Sequence, residues 1–125
     1  MMLMPICRSQ SCVQESYCII SPTTAKQVSQ AVKIISKHGV KFATRSGGHS
    51  PNPGWSSIDS SGILIDMSKF DDITLSADKK VASVGPGLRW GEITPVLEAQ
   101  GVYVVGGRLP DVGVGGLILG GVYIL

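Results

Sequence analysis

Arg45-Ser46-Gly47-Gly48-His49-Ser50 is a short polar turn that directly follows an apolar run at residues 40–44. Two adjacent glycines let the backbone approach a bulky anion closely and leave amide N–H groups free to point at it. Arg45 adds a guanidinium beside those amides, and His49 adds a ring nitrogen that can act as a nucleophile. The turn is therefore suited to holding a phosphate-bearing cofactor.

The composition is that of one small folded domain. The chain has 125 residues, of which 43% are hydrophobic and only 16% are charged, and this balance excludes an intrinsically disordered chain. The net charge is +2, and no basic run is longer than Lys79-Lys80. A nucleic-acid-binding surface needs clustered basic side chains, so nucleic acid is not expected as a partner.

The cysteines and the chain termini bear on metal binding and location. Cysteines at positions 7, 12 and 18 are odd in number and loosely spaced, so free thiols are expected and no metal site. Residues 1–6 lack a basic start and a cleavage site and do not predict a signal peptide. Residues 112–125 contain five glycines and fall short of the roughly 20 residues that span a membrane. The compartment stays unknown, and no membrane partner is expected.

The first part of the chain predicts strand, helix and strand. Residues 18–21 form a short buried strand that ends at Pro22, and Thr23 is the predicted N-cap of the following helix. Apolar residues recur on one face of that helix, and Gly39 is placed to end it in a left-handed conformation. Residues 40–44 alternate and predict a second strand.

The loop and the middle of the chain continue this pattern. Trp55 lies in a loop rich in proline and glycine, where packing on its own domain is favoured over covering a ligand. Residues 62–67 predict a buried strand. Residues 73–76 and 81–84 predict an antiparallel hairpin.

The last elements are a helix at residues 88–100 and a strand at 102–105. Pro95 removes a helical hydrogen bond, so the helix is expected to start late, near Glu92, or to be kinked. The predicted fold class is α+β, with a sheet of mixed direction and packing helices.

A second glycine-rich segment, residues 106–121, follows the last predicted strand and holds seven glycines. It does not fit the dinucleotide fingerprint G-x-G-x-x-G, because Ile118 stands where a glycine is needed after Gly113. The phosphate loop of nucleoside triphosphatases is excluded too, since no Gly-Lys-Ser/Thr follows. The chain therefore holds two backbone cradles, each predicted to follow a strand.

These two segments together resemble the FAD-binding (PCMH-type) domain of the vanillyl-alcohol-oxidase superfamily, in its berberine-bridge-enzyme-like branch. Supporting stretches are Ile65-Asp66-Met67, Val84-Gly85-Pro86-Gly87 and Trp90-Gly91-Glu92. The resemblance implies an irregular lead-in at residues 1–17 and the first part of the FAD-binding domain at 18–125. It also implies that full-length relatives are often secreted.

The resemblance implies that FAD is the cofactor and that the turn at residues 45–50 wraps its pyrophosphate. It implies a covalent bond from His49 to the 8α-methyl carbon of the flavin. A second covalent link is not expected, because Leu109 stands at the position of the second family nucleophile. The remaining cofactor contacts that it implies are Arg45, Ser46, Gly47, Gly48, Ser50, Asp111, Val112, Gly113, Val114, Gly115, Gly116, Gly120 and Gly121.

Three interpretations are open on the sequence. The first is the FAD-binding part of an FAD-linked oxidoreductase that acts on a small-molecule substrate, with no catalytic residue in this chain. The second is an inactive fragment or FAD-binding remnant, which is favoured for the isolated chain because it ends within an apolar run at residues 122–125. In the third, both glycine segments are structural only and His49 is a solvated loop residue.

Overall fold

The computed structural model describes residues 13–121. Within them no helix is long and apolar enough to cross a membrane. The described elements, in chain order, are β1 Cys18–Ile20, α1 Ala25–Lys37, β2 Lys41–Arg45, β3 Gly62–Asp66, β4 Ile73–Leu75, β5 Ala82–Val84, α2 Trp90–Glu98 and α3 Val114–Gly120. Cys7, Cys12 and the apolar end at residues 122–125 lie outside the described part, and Cys18 is a free, exposed thiol.

The first sheet has three parallel strands in the order β1-β3-β2. β3 is the central strand, and its Leu64 and Ile65 are 3% and 1% exposed. β2 pairs with β3 along its whole length, from Lys41 opposite Gly62 to Arg45 opposite Asp66. This register places the carboxyl ends of both strands at one edge of the sheet, where the turn at residues 45–50 begins.

Helix α1 connects β1 to β2. Its N-cap is Thr24, whose side chain accepts a hydrogen bond from the Gln27 amide at 3.2 Å. The prediction of Thr23 as N-cap is wrong by one residue, because Thr23 binds the Gln27 side chain instead. Gly39 has φ +63° and ends the helix as predicted.

The second sheet is the predicted hairpin, in which β4 and β5 pair antiparallel. It packs on a core formed by the inner face of α2, by one residue just before that helix and by one residue of α3. The buried members of that core are Leu88, Trp90, Ile93, Leu97 and Val114. The predicted α+β class with strands of both directions is confirmed, and the parallel and antiparallel pairs occupy separate sheets.

Two strand predictions need correction. β1 is not buried, and Ile19 is 46% exposed, because β1 is an edge strand with a partner on one side only. Residues 102–105 are not a strand. Tyr103 and Val105 are 78% and 79% exposed, and no strand among residues 13–121 lies beside them to accept their backbone hydrogen bonds.

Two helix predictions also change. α2 begins at Trp90, with Pro95 in its interior, so the late start near Glu92 is wrong. The Arg89 amide donates to the Glu92 carboxylate at 2.6 Å and so fixes the earlier start. The second glycine-rich segment is also not an open cradle throughout, because residues 114–120 form α3.

Candidate functional site

The two glycine segments meet at a cavity of about 590 Å³. Its walls come from the turn after β2, the loop around Trp55, the end of β3, and α3 with the residues that lead into it. The lining residues are Thr44, Ser46, Gly47, Gly48, His49, Ser50, Trp55, Ser56, Met67, Pro86, Val112, Gly113, Gly115, Gly116, Leu117, Leu119 and Gly121. The volume falls within the range of roughly 300–1,000 Å³ that is common for small-molecule sites.

Gly47 and Gly113 bring the two segments into direct backbone contact. A Cβ at Gly47 would lie 2.4 Å from the Gly113 nitrogen, and a Cβ at Gly113 would lie 2.2 Å from the Gly47 nitrogen. Neither position has room for a side chain. These two glycines are needed because the two loops touch, and not only because a ligand approaches them.

The start of the first turn is held by two other parts of the chain. The Met67 amide donates to the Arg45 carbonyl at 2.9 Å, which fixes the end of β2 against β3. The Ser46 hydroxyl donates to the Pro86 carbonyl at 2.5 Å. Gly48 has φ +69°, a left-handed conformation that glycine adopts at no steric cost.

Arg45 points away from this cavity and pairs with Asp66. Its Nη2 and Nε atoms lie 2.6 Å and 3.2 Å from one carboxylate oxygen, and both side chains are mostly buried. Burial by itself raises the pKa of the Asp66 carboxyl, but hydrogen bonds from Arg45 and Ser68 outweigh it and hold the pKa below the ordinary 3.8. Arg45 as a cofactor contact stays a prediction, and the structure gives its guanidinium a different partner.

Arg89 is the residue that the sequence analysis missed. Its guanidinium donates to the Gly47 carbonyl at 3.1 Å and, through a very short bond, to the Asp111 carbonyl. One side chain thus joins the two glycine segments. Arg89 also forms an isolated backbone bridge with Gly113. Its position at the start of the helix predicted at residues 88–100 gave no sequence signal of this contact.

His49 faces Asp111 across the junction of the segments. The distance from His49 Nε2 to the nearer Asp111 carboxylate oxygen is 3.6 Å. Nε2 is buried and has no hydrogen-bond partner, although the His49 side chain as a whole is 27% exposed. The ring is therefore placed at the cavity wall with one nitrogen directed to a carboxylate.

The predicted contacts divide into three groups. Ser46, Gly47, Gly48, His49, Ser50, Val112, Gly113, Gly115, Gly116 and Gly121 share the cavity wall. Asp111 lies beside them through its pairing with His49. Val114 is 1% exposed and belongs to the core, and Gly120 is exposed on α3 outside the cavity lining. Trp55, expected to pack on its own domain, is 70% exposed and borders the cavity, so that interpretation is wrong.

The cavity wall fits a phosphate-bearing flavin. No hydrogen bond joins the amide N–H groups of Gly47, Gly48 and His49 to an acceptor elsewhere in residues 13–121, so these donors are available to an anion. Gly116 has nothing within 4 Å of the position of a Cβ, which leaves open space beside its backbone. Leu117, Leu119 and Trp55 supply an apolar surface for a ring system.

Comparison with known proteins agrees with this geometry. A family described as FAD binding domain matches residues 17–123. The chain is 44% identical over 113 residues to the FAD-dependent monooxygenase yanF of Aspergillus niger, covering 90% of this chain and 20% of that protein. It thus spans about a fifth of the length of this relative.

Solved structures of other proteins also resemble this chain, among them the following two. The Physcomitrella patens BBE-like 1 variant D396N has a TM-score of 0.70 and 34% identity, over 78% of this chain and 21% of that one. The 6-hydroxy-D-nicotine oxidase of Arthrobacter nicotinovorans has a TM-score of 0.77 and 27% identity, over 90% of this chain and 25% of that one. The resemblance stated from the sequence is confirmed. The chain belongs to the FAD binding domain family, and its cofactor is FAD.

Proposed function

We propose that this chain is the part of an FAD-linked oxidoreductase that binds FAD between its two glycine segments and tethers it through His49. One observation carries the proposal. The free amides of residues 47–49 and the His49 ring border the same cavity as Gly113, Gly115 and Gly116. A phosphate held by these amides would place the rest of the cofactor along the apolar wall.

The chemistry that bound FAD would supply is the acceptance of a hydride from a small-molecule substrate, followed by reoxidation by oxygen to give hydrogen peroxide. The residues of this chain bind and orient. Backbone amides of residues 47–49 take the phosphates, and Arg89 holds the two segments at a fixed separation. We assign no catalytic residue to this chain.

The proposed tether is a bond between an imidazole nitrogen of His49 and the 8α carbon. One hydrogen leaves the methyl group and one leaves the imidazole, as two protons and two electrons. Oxygen would take up the two protons and the two electrons and become hydrogen peroxide. Leu109 cannot form a second link, because its side chain carries no nucleophile.

The alternative is a chain that binds FAD weakly, or not at all, without the rest of the protein. The observation that favours it is length, since the chain spans only 20% of yanF. Tyr103 and Val105 also expose large apolar surfaces near the second segment. On this alternative the two segments keep their fold but retain no flavin.

Acid precipitation of the chain purified with FAD tests the proposal. We expect yellow flavin to stay with the precipitated protein, and His49→Ala to lose it while binding FAD in native buffer. His38→Ala is the matched control, because His38 caps α1 far from the cavity lining, and it should behave as wild type. Flavin released by acid from wild type would refute the tether, and failure to retain FAD in native buffer would refute binding.

A further inference from the structure

We infer that Asp111 is a positioning residue for His49, which holds the Nε2 side of the imidazole and presents Nδ1 to the cavity as the nucleophilic nitrogen. This inference deepens the proposed function and rests on it only for the flavin bond. The arrangement of the two side chains is a property of the protein without cofactor.

The burial of the ring supports the assignment of the two nitrogens. Nε2 is buried and 3.6 Å from the Asp111 carboxylate. The 27% of the His49 side chain that stays exposed therefore belongs to atoms other than Nε2. Since His49 lines the cavity and its Nε2 is buried, Nδ1 is the ring nitrogen that we assign to the cavity side.

Electrostatics supports the same assignment. In a neutral imidazole one nitrogen carries the proton and the other carries the lone pair. A carboxylate near Nε2 favours the tautomer with the proton on that nitrogen, since the proton is attracted and a lone pair is repelled. The lone pair then lies on Nδ1, where a nucleophile is needed.

Arg89 holds the backbone from which the Asp111 carboxylate extends. Arg89 donates to the Asp111 carbonyl and to the Gly47 carbonyl, and Gly47 lies two residues before His49. The Asp111 side chain is 46% exposed, so its substitution removes little packing. The residue can thus be changed without disturbing the core.

NMR of the ring nitrogens tests the inference on the full chain without flavin, at a pH where both histidines are neutral. The chain has two histidines, and the exposed His38 is the internal reference. We expect the ratio of the Nε2–H to the Nδ1–H tautomer to be on the order of tenfold higher for His49 than for His38. Asp111→Asn should lower the His49 ratio toward the His38 value, and Asp111→Glu should restore it. The exposed control Asp72→Asn should leave the His49 ratio unchanged.

Flavin attachment gives the second measurement. Asp111→Asn should slow formation of acid-stable flavin at least tenfold while FAD binding in native buffer is kept, and Asp111→Glu should recover most of the rate. An unchanged His49 tautomer ratio in Asp111→Asn would overturn the inference, whatever the flavin does. A shifted ratio together with acid-stable flavin in His49→Ala would instead refute the proposed tether and leave the role of Asp111 intact.

Discussion

The two glycine segments follow apolar runs of the same kind, yet only the first run is a strand. Residues 41–45 pair with β3 at every position, and the turn at residues 45–50 starts from that fixed edge. Residues 102–105 are also strand-favouring residues, Val-Tyr-Val-Val, but they are paired with no strand within residues 13–121. A run of strand-favouring residues thus shows that a segment can be a strand, and the neighbouring backbone decides whether it is one.

Two arginines near the glycine segments differ in what they bind. Arg45 stands in the glycine turn, where a cofactor contact was expected, and its charge is taken up by Asp66. Arg89 stands outside both segments and binds a carbonyl of each. The first segment is positioned by a strand and an ion pair, whereas the second is positioned by backbone hydrogen bonds to the residues at the start of α2.

The largest effect is expected where the segments touch. Gly113→Ala places a methyl group 2.2 Å from the Gly47 nitrogen, and because that neighbour is backbone the loops must separate. We expect a loss of about 3 kcal/mol or more of unfolding free energy, with loss of FAD binding.

Gly116→Ala is the matched control for that change. It lies on the same segment with nothing within 4 Å, so urea unfolding should show a loss below about 0.5 kcal/mol, or a gain from the better helix former. Equal destabilisation of both variants would contradict the assignment of the Gly47–Gly113 contact as the tight point.

An intermediate effect is expected at Arg89. Arg89→Ala removes both bonds to the segment carbonyls, and we expect a loss of about 2 kcal/mol and weaker FAD binding, measured by urea unfolding and flavin titration. Arg89→Lys should recover only part of the lost stability and FAD binding, because an ammonium group cannot donate to both carbonyls as the two-armed guanidinium does. The exposed Arg108 provides the control. If Arg108→Ala weakens FAD binding as much as Arg89→Ala does, the loss would come from the change in net charge and not from the two hydrogen bonds of Arg89.

The smallest effect on stability is expected at the ion pair between Arg45 and Asp66. Asp66→Asn should cost about 1 kcal/mol at pH 7, since the pair is partly exposed. The folded-state pKa of Asp66 lies below the ordinary 3.8, so this contribution is present above that value and is lost as pH falls through the lowered pKa. Unfolding at pH 7 and pH 3 should show the difference between wild type and variant shrink in acid; a constant difference would exclude the ion pair as its cause.

The sequence predicted the parts of the fold that depend on local pattern. The inner face of α1, the β4–β5 hairpin and the buried β3 all follow from spacing and turn residues. The wrong predictions at residues 102–105 and at β1 depend on which strands lie beside these segments. Hydrophobic periodicity along the sequence does not predict which strands pair. The same distinction holds for the site, since Gly47 and His49 were found from the turn itself, while Arg89 acts on carbonyls that are distant in sequence.

The backbone contact between Gly47 and Gly113 also sets how the site assembles. It joins two points far apart along the chain, so the site exists only after most of the described chain has folded around it. The entropy of closing such a loop grows slowly, by about 0.6 kcal/mol for each doubling of length. The exposed hairpin turn at residues 77–80 lies within that loop. The topology can therefore absorb extra residues there at small entropic cost, whereas one added methyl group at the contact itself has no space.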